Sequence, residues 1–229
     1  FKTPVLDRLV REGVELDRHY VQPVCTPTRT ALLSGRWTSR FGPHVLAPSN
    51  SRAFPPGTPT LASALKQCGY TTHISGKWHL GAKPEWGPNH HGFDHSYGAL
   101  CGAVDPWTHK YRPGPYEDTW HRTLQRLDEA GTATELVARE ALQWIRQKHA
   151  PWFIYVPFFA VHIPVDAPEE YKRLYAGLKF DDDPVKHDSL LRLAAFVTQL
   201  DTKVGEFAAA LEETGQRRDT LIVFTSDNG

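Results

Sequence analysis

Several features that often classify a chain at first sight are absent from these 229 residues. There is no methionine, and there are only three cysteines, Cys25, Cys68 and Cys101. So few cysteines exclude a disulfide framework, and their spacing is not that of a structural zinc site. The chain begins at Phe1 and stops at Gly229 within recognisable patterns, so we expect one incomplete domain over residues 1–229.

An excess of charge and a long apolar run are missing as well. The chain has 26 basic and 26 acidic side chains and no basic run, which excludes nucleic acid as the expected partner. Its longest apolar run, residues 152–161, is interrupted by Pro157. Because a bilayer-spanning helix needs roughly 20 apolar residues, we expect no membrane span here.

Predicted strands and helices alternate along the chain, which is typical of an α/β domain with helices on both faces of the sheet. The predicted strands cover residues 14–21, 70–75, 152–159 and 220–225. The predicted helices cover residues 4–12, 60–68, 132–149, 168–175 and 188–214, with a shorter one from Pro27. Residues 36–59 and 84–120 are predicted to be irregular, and Cys68 to lie on a packed helix face.

The stretch from Val24 to Gly35 combines a thiol, a proline, an arginine and a short apolar helix pattern. Proline costs little at the first helical position, so Pro27 predicts a helix start with Cys25 just ahead of it. Helix N-termini attract anions, and Arg29 lies one turn further on. The stretch predicts an anion site with a nucleophile precursor, although a lone cysteine is more often a small buried residue.

Polar residues follow three of the predicted strands where each strand ends. Lys77 and His79 follow the second strand, His162 follows the third, and Asp227 and Asn228 follow the fourth. Ligands of open α/β sheets bind beyond the carboxyl ends of the strands, so we expect these residues to share one site with the thiol. Each alone has an ordinary alternative: a solvated lysine, a packed histidine or an Asp-Asn-Gly turn.

Together, these motifs resemble those of the type I, formylglycine-dependent sulfatases. Cys-x-Pro-x-Arg resembles the first sulfatase signature, and residues 69–79 resemble the second. His162-Ile163-Pro164 and Ser226-Asp227-Asn228-Gly229 resemble a third active-site segment and a metal-binding segment. Residues 20–37 are most similar to the arylsulfatase B type. The resemblance implies an alkaline-phosphatase-like fold, with a mixed, mostly parallel sheet and helices on both faces.

The resemblance also implies a role for each candidate residue. Cys25 would be oxidised after synthesis to formylglycine, whose hydrate attacks sulfur and then releases sulfate. Arg29 would hold that hydrate, and Lys77 would contact the hydrate and the sulfate. His79 would accept a proton during release, and His162 would touch the sulfate or protonate the leaving oxygen.

A metal ion is implied too, held by Asp227, Asn228 and the modified Cys25. Oxygen ligands suit calcium, with magnesium as the alternative, and the ion would polarise the sulfate. Two parts of the family pattern do not occur in these residues, an upstream acidic pair and a lysine beyond Gly229. We therefore expect this chain alone to bind metal poorly and to be weakly active or inactive.

The implied function is hydrolysis of sulfate monoesters, either aryl sulfates or sulfated carbohydrates. A phosphate or phosphonate ester hydrolase is one alternative, because both groups are tetrahedral anions, and a non-catalytic relative that binds sulfated glycans is another. The expected partners are the sulfated small molecule or glycan and a formylglycine-generating enzyme. The expected compartment is periplasmic, secreted or lysosomal; the absence of an Asn-x-Ser/Thr sequon slightly favours a bacterial extracytoplasmic one.

Residues 84–120 support two further hypotheses. Their aromatic side chains, including Trp107 and Trp120, would form a wall that faces a sugar. The histidines at 90, 91 and 95 have no acidic or cysteine partners at ligand spacing. We therefore interpret these histidines as loop or cleft residues and not as a metal cluster.

Overall fold

A computed structural model describes residues 1–123, 125–147 and 151–228; in these, three helices precede a run of four strands, and a fifth strand lies between the fourth helix and the last two helices. The helices are α1 (Pro4–Glu12), α2 (Cys25–Ser34), α3 (Leu61–Gln67), α4 (Ala133–Gln147), α5 (Glu169–Arg173) and α6 (Pro184–Glu213). The strands are β1 (Thr71–Lys77), β2 (His95–Ala99), β3 (Trp120–Arg122), β4 (Gln125–Arg126) and β5 (Trp152–Tyr155). None of the helices in these ranges has the length and apolar composition to cross a membrane.

The strands form one mixed sheet in the order β4-β3-β2-β1-β5. β1 pairs in parallel with β2 on one side and with β5 on the other. β3 and β4 continue the sheet as an antiparallel hairpin beyond β2. Lys77 lies opposite Ala99, so the carboxyl ends of β1 and β2 are side by side. The expected α/β class with a mixed sheet is confirmed.

Helices cover both faces of the sheet around β1. On one face, the hydroxyl of Ser75 donates to the carbonyl oxygen of Val137 in α4 at 2.9 Å, and the ring of His73 stacks on Trp144 at 4.6 Å. On the other face, the apolar side chain of Ile74 belongs to the main core cluster together with Ala62 of α3. The alternation of side chains along β1 therefore joins two helical layers.

Two aspartates determine where helices begin. Asp183 accepts hydrogen bonds from the N–H groups of Val185 and Lys186, so α6 begins at Pro184 and not at the predicted residue 188. Asp201, buried in the middle of α6, accepts from two N–H groups in the first turn of α1 at 3.1 and 2.8 Å. These contacts fasten α1 to α6, and α1 covers the predicted residues 4–12.

Two of the predicted strands are wrong. Residues 14–21 and 220–225 pair with no strand within the described part of the chain. Val14, Leu16 and Tyr20 in the first segment, and Leu221 and Val223 in the second, are exposed. Local apolar alternation predicts a strand only if a neighbour completes the hydrogen-bond ladder, and neither segment has one among these residues.

The extent and packing of other elements differ from the prediction. β5 ends at Tyr155 and not at residue 159: the N–H of Lys77 still donates to the carbonyl oxygen of Pro157 at 2.8 Å, but a proline has no N–H with which to continue the ladder. Cys68 is exposed and not packed, since α3 buries Ala62 instead of the predicted face. The predicted helix 132–149 is confirmed as α4 up to Gln147; its last two positions lie outside the described residues.

The stretch at 84–120 is more regular than predicted. It contains β2, the middle strand of the sheet, and ends at the start of β3. Trp120 is 1% exposed and stacks on the ring of His109 at 4.6 Å, so the proposed sugar-facing role is wrong for this residue. Trp107 is 48% exposed, and its indole N–H donates to Oδ2 of Asp166 at 2.9 Å.

Candidate active site

Cys25 is the first residue of α2 and Arg29 lies one turn later on the same face. Val24 is extended, with φ −146° and ψ 167°, so the helix begins at Cys25, ahead of the predicted start at Pro27. Gly35 ends it in the left-handed conformation with φ 63°. The first N–H groups of a helix have no helical acceptors, so Cys25 lies at the end that favours anions.

Arg29 is buried, and three other segments hold its guanidinium. Nε and Nη2 donate to Oδ2 of Asp227 at 2.9 and 2.7 Å. Nη1 donates to the carbonyl oxygen of Lys77 at 2.7 Å and, more weakly, to the hydroxyl of Tyr155 at 3.5 Å. Burial lowers the pKa of Arg29, but Tyr155 and Asp227 raise it by more, so the side chain stays charged.

Lys77, at the end of β1, and Asn228 both approach Cys25. Burial lowers the pKa of Lys77 and the charge of Arg29 lowers it further, while a hydrogen bond with the Cys25 side chain acts in the opposite direction. The thiol of Cys25 donates to Oδ1 of Asn228 at 3.5 Å. The sulfur atom therefore lies between a buried cation and an amide oxygen.

His79 follows β1 in the left-handed conformation, with φ 58°, and is buried. Its Nδ1 has no hydrogen-bond partner within the described residues. Burial lowers the pKa of His79 to about 2, and the charges of Lys77, Arg29 and His162 contribute. The imidazole is therefore neutral at physiological pH and belongs to the same charged cluster.

His162 lies at the rim of this cluster. It is exposed, and its Nδ1 is 2.6 Å from the carbonyl oxygen of Ile163. Partial burial of the ring lowers the pKa of His162, and the contact with Ile163 opposes that effect. In residues 1–123, 125–147 and 151–228, no hydrogen bond joins His162 to the thiol or to the two buried cations, so it approaches the site less closely than the other candidates.

Comparison with known proteins decides the family. A family model described as Sulfatase matches residues 1–229, the whole chain. The chain belongs to the sulfatase family. The predicted resemblance is thereby confirmed over its full length.

Individual relatives of this sulfatase chain show how similar it is to known proteins. Arylsulfatase J of Mus musculus is 33% identical over 238 residues, which cover 100% of this chain and 39% of that protein. N-acetylgalactosamine-6-sulfatase of Rattus norvegicus is also 33% identical, over 250 residues and 45% of its length. The crystal structure of Ps i-CgsB has a TM-score of 0.80 and 28% identity, covering 93% of this chain and 50% of its own.

The fold of this sulfatase chain is therefore that of its relatives, and the chain spans 39% and 45% of the length of the two curated proteins. Because an arylsulfatase and an N-acetylgalactosamine-6-sulfatase are equally similar at 33% identity, the arylsulfatase B subgroup stays a prediction.

Three further residues of the candidate site were not predicted from the sequence. Tyr155 contributes its hydroxyl to the environment of Arg29 from the end of β5. Gly102 lies against the ring of His79, just beyond the end of β2, and Asn50 hydrogen-bonds to Gly102. Gly102 could have been found from its position just after β2, which lies parallel to β1, but β2 itself was not predicted.

The described residues provide only part of a calcium site. Asp227 and Asn228 offer carboxylate and amide oxygens, but Oδ2 of Asp227 is already bound to Arg29. Nowhere in the described ranges do three His, Cys, Asp or Glu side chains form a group that could hold a metal ion. Because calcium takes six to eight oxygen ligands, these residues by themselves do not fit a complete calcium site.

Proposed function

We propose that this chain carries catalytic residues of an enzyme that hydrolyses sulfate monoesters, either aryl sulfates or sulfated carbohydrates. The observation that carries the proposal is the convergence of three segments at the start of α2: the thiol of Cys25 contacts Asn228, and the buried Arg29, one helical turn on, donates to the carbonyl oxygen of the buried Lys77 and to Asp227. Asp227 is the carboxylate that contacts Arg29, so the two cations are only partly neutralised. A desolvated site with this excess of positive charge favours a bound anion.

Position 25 suits the proposed conversion of cysteine to formylglycine. A hydrated aldehyde there would supply one hydroxyl to attack sulfur and a second whose ionisation expels sulfate. Lys77 supplies a hydrogen-bond donor beside this position, and Oδ1 of Asn228 supplies an acceptor 3.5 Å from the sulfur. A small polar group at position 25 would thus find partners of both kinds.

The two cations have different tasks in this proposal. Lys77 is a compact point charge that stabilises negative charge on a bound ester or on an oxygen at position 25. Arg29 uses three of its N–H groups on Asp227 and on the carbonyl oxygen of Lys77. It therefore fixes the end of β1 and orients the surrounding groups.

Proton transfer is assigned to the histidines. His79 is neutral and its Nδ1 has no partner within the described residues, so it can accept a proton from a hydroxyl at position 25 once a bound anionic ester offsets the positive charges that lower its pKa. His162 is exposed and can exchange protons with water, so we assign it the donation to the leaving oxygen. An anionic ester bound beside His162 would raise its pKa and favour the protonated form that this role needs.

A calcium ion enters the proposal only through the residues that would bind it. Asp227, Asn228 and the modified residue 25 would supply oxygens to the ion, which would polarise the sulfate. The remaining ligands are not found among the described residues, and none of the proton or charge roles above depends on the ion. The expectation that this chain alone binds metal poorly and is weakly active stays a prediction.

The test compares an aryl sulfate with the matching aryl phosphate as substrates of the full-length protein, co-expressed with a formylglycine-generating enzyme. We expect the sulfate to be the better substrate and Cys25→Ala to abolish its turnover. Cys68→Ala is the matched control, because Cys68 is an exposed cysteine at the end of α3. Preference for the phosphate would overturn the assignment, and binding of sulfated glycans without turnover would favour a binding protein.

The proposal also names partners and a compartment. The substrate is a sulfated small molecule or glycan, and the formylglycine-generating enzyme is the partner during maturation. A periplasmic, secreted or lysosomal location follows from the family resemblance and stays a prediction.

A further inference from the structure

The outer end of the His79 ring rests against the backbone of Gly102. A Cβ atom added to Gly102 would lie 2.2 Å from Nε2 of His79, and 2.5 and 2.6 Å from Cε1 and Cδ2. These separations are far below van der Waals contact, so a side chain at position 102 and the imidazole in its present place exclude one another. The absence of a side chain at Gly102 creates the space that the ring occupies.

Asn50 holds Gly102 at this position. Its Oδ1 accepts a hydrogen bond from the N–H of Gly102 at 3.0 Å, and its carbonyl oxygen accepts from Ala82 at 2.9 Å. The adjacent Ser49 donates its N–H to the hydroxyl of Thr26 at 3.1 Å. The loop at residues 49–50 therefore joins the three segments around His79, which are the start of α2 and the segments after β1 and β2.

The backbone of His79 is held as firmly as its ring. Its N–H donates to the carbonyl oxygen of Leu100 at 3.1 Å, and its carbonyl oxygen accepts from the hydroxyl of Thr26 at 3.3 Å. The left-handed conformation is unfavourable for a non-glycine residue and persists where surrounding contacts impose it. A small backbone shift therefore cannot move the ring away from Gly102 without breaking these contacts.

We propose that Gly102 and Asn50 are positioning residues, which fix the imidazole of His79 near Lys77 and Arg29 in the orientation that catalysis needs. The inference rests on the proposed sulfatase reaction, in which His79 accepts a proton. Misplacing a reacting group by about 1 Å can cost roughly 100-fold in rate. A side chain at position 102 should therefore act on the catalytic step more than on substrate binding.

The kinetic test uses two pairs of variants of the full-length protein with an aryl sulfate substrate. Gly102→Ala is paired with Gly177→Ala, because an added Cβ on Gly177 meets no atom within 4 Å. Asn50→Ala is paired with Asn50→Asp, which retains an oxygen acceptor for the N–H of Gly102. We expect kcat to fall roughly 100-fold in Gly102→Ala and roughly 10-fold in Asn50→Ala, by less in Asn50→Asp and not in Gly177→Ala, with KM changing less than about threefold.

A second readout does not depend on activity. The imidazole NMR signals of His79, assigned by their loss in His79→Ala, should shift in Gly102→Ala and Asn50→Ala, by less in Asn50→Asp, and not in Gly177→Ala. Unchanged signals and unchanged kcat in folded Gly102→Ala would overturn the inference. If Gly102→Ala does not fold, equal losses in Asn50→Ala and Asn50→Asp would overturn it. Shifted signals in a protein that does not turn over sulfate esters would refute the proposed function instead.

Discussion

Removing either partner of the ion pair between Arg29 and Asp227 should lower the free energy of unfolding, but by unequal amounts. Asp227→Ala would leave the guanidinium of Arg29, which is 4% exposed, beside the second buried cation Lys77. Leaving one member of a buried pair unpaired costs about 3 to 5 kcal/mol. The carbonyl oxygen of Lys77 and the hydroxyl of Tyr155 remain as acceptors, so we expect a value at the low end, about 3 kcal/mol.

Arg29→Ala should lower the free energy of unfolding by less than Asp227→Ala does. The side chain of Asp227 is 29% exposed, so its carboxylate can regain water when the guanidinium is removed. Lys77 also loses a repulsive neighbour. What remains is the lost packing and an unpaired carbonyl oxygen at Lys77, for which we expect about 2 kcal/mol in total.

Urea unfolding of the full-length protein and its variants measures both free energies. A chelator in all samples removes any contribution from a bound cation. We expect Asp227→Ala to be more destabilising than Arg29→Ala by about 1 kcal/mol, and the double variant to cost less than the sum of the two. If the effects of the two substitutions on the free energy of unfolding add fully, or if Arg29→Ala is the more destabilising, this account of the ion pair is refuted.

Three other predictions concern separate parts of the fold. Burial, and to a lesser extent nearby positive charge, lowers the pKa of His91 to about 4, so as pH falls the unfolded chain, with a value near 6.5, takes up the proton first. The contribution of His91 to the free energy of unfolding should fall by roughly 3 kcal/mol between about pH 6.5 and pH 4, so urea midpoints across this range should fall less in His91→Phe. Trp107→Ala should weaken turnover of a sulfated polysaccharide more than that of a small aryl sulfate; equal losses, or the same pattern in the exposed control Trp37→Ala, would contradict this. Thr60→Ala removes the capping box that Thr60 forms with Ser63 at the start of α3, and should lower the free energy of unfolding by about 1 to 2 kcal/mol, with Thr60→Ser near wild type.

The sequence was most informative where one short segment contains both a structural signal and a reactive group. Pro27 and the apolar pattern after it predicted α2, and with it the adjacent placement of Cys25 and Arg29. The apolar run from residue 152 predicted a strand, and the structure has one at residues 152–155, parallel to β1. Lys77 and His79 were expected at the end of β1, because polar residues after a buried strand mark its carboxyl edge.

Features that depend on distant partners could not be predicted in the same way. β2 has polar and small residues, and it was missed because the surroundings that bury it come from elsewhere in the sequence. Its omission also concealed Gly102, whose importance lies in a contact with His79. An apolar pattern such as residues 220–225 does not reveal whether a neighbouring strand is there to pair with it, and aromatic composition does not separate a buried Trp120 from an exposed Trp107.

The state of residue 25 tests the central claim most directly. Peptide mass spectrometry of the full-length protein, purified after co-expression with a formylglycine-generating enzyme, distinguishes a thiol from an aldehyde at this position. We predict that the peptide containing residue 25 carries the aldehyde and that the fraction converted parallels sulfate ester turnover. An unmodified thiol in a preparation that still hydrolyses sulfate esters would contradict the account.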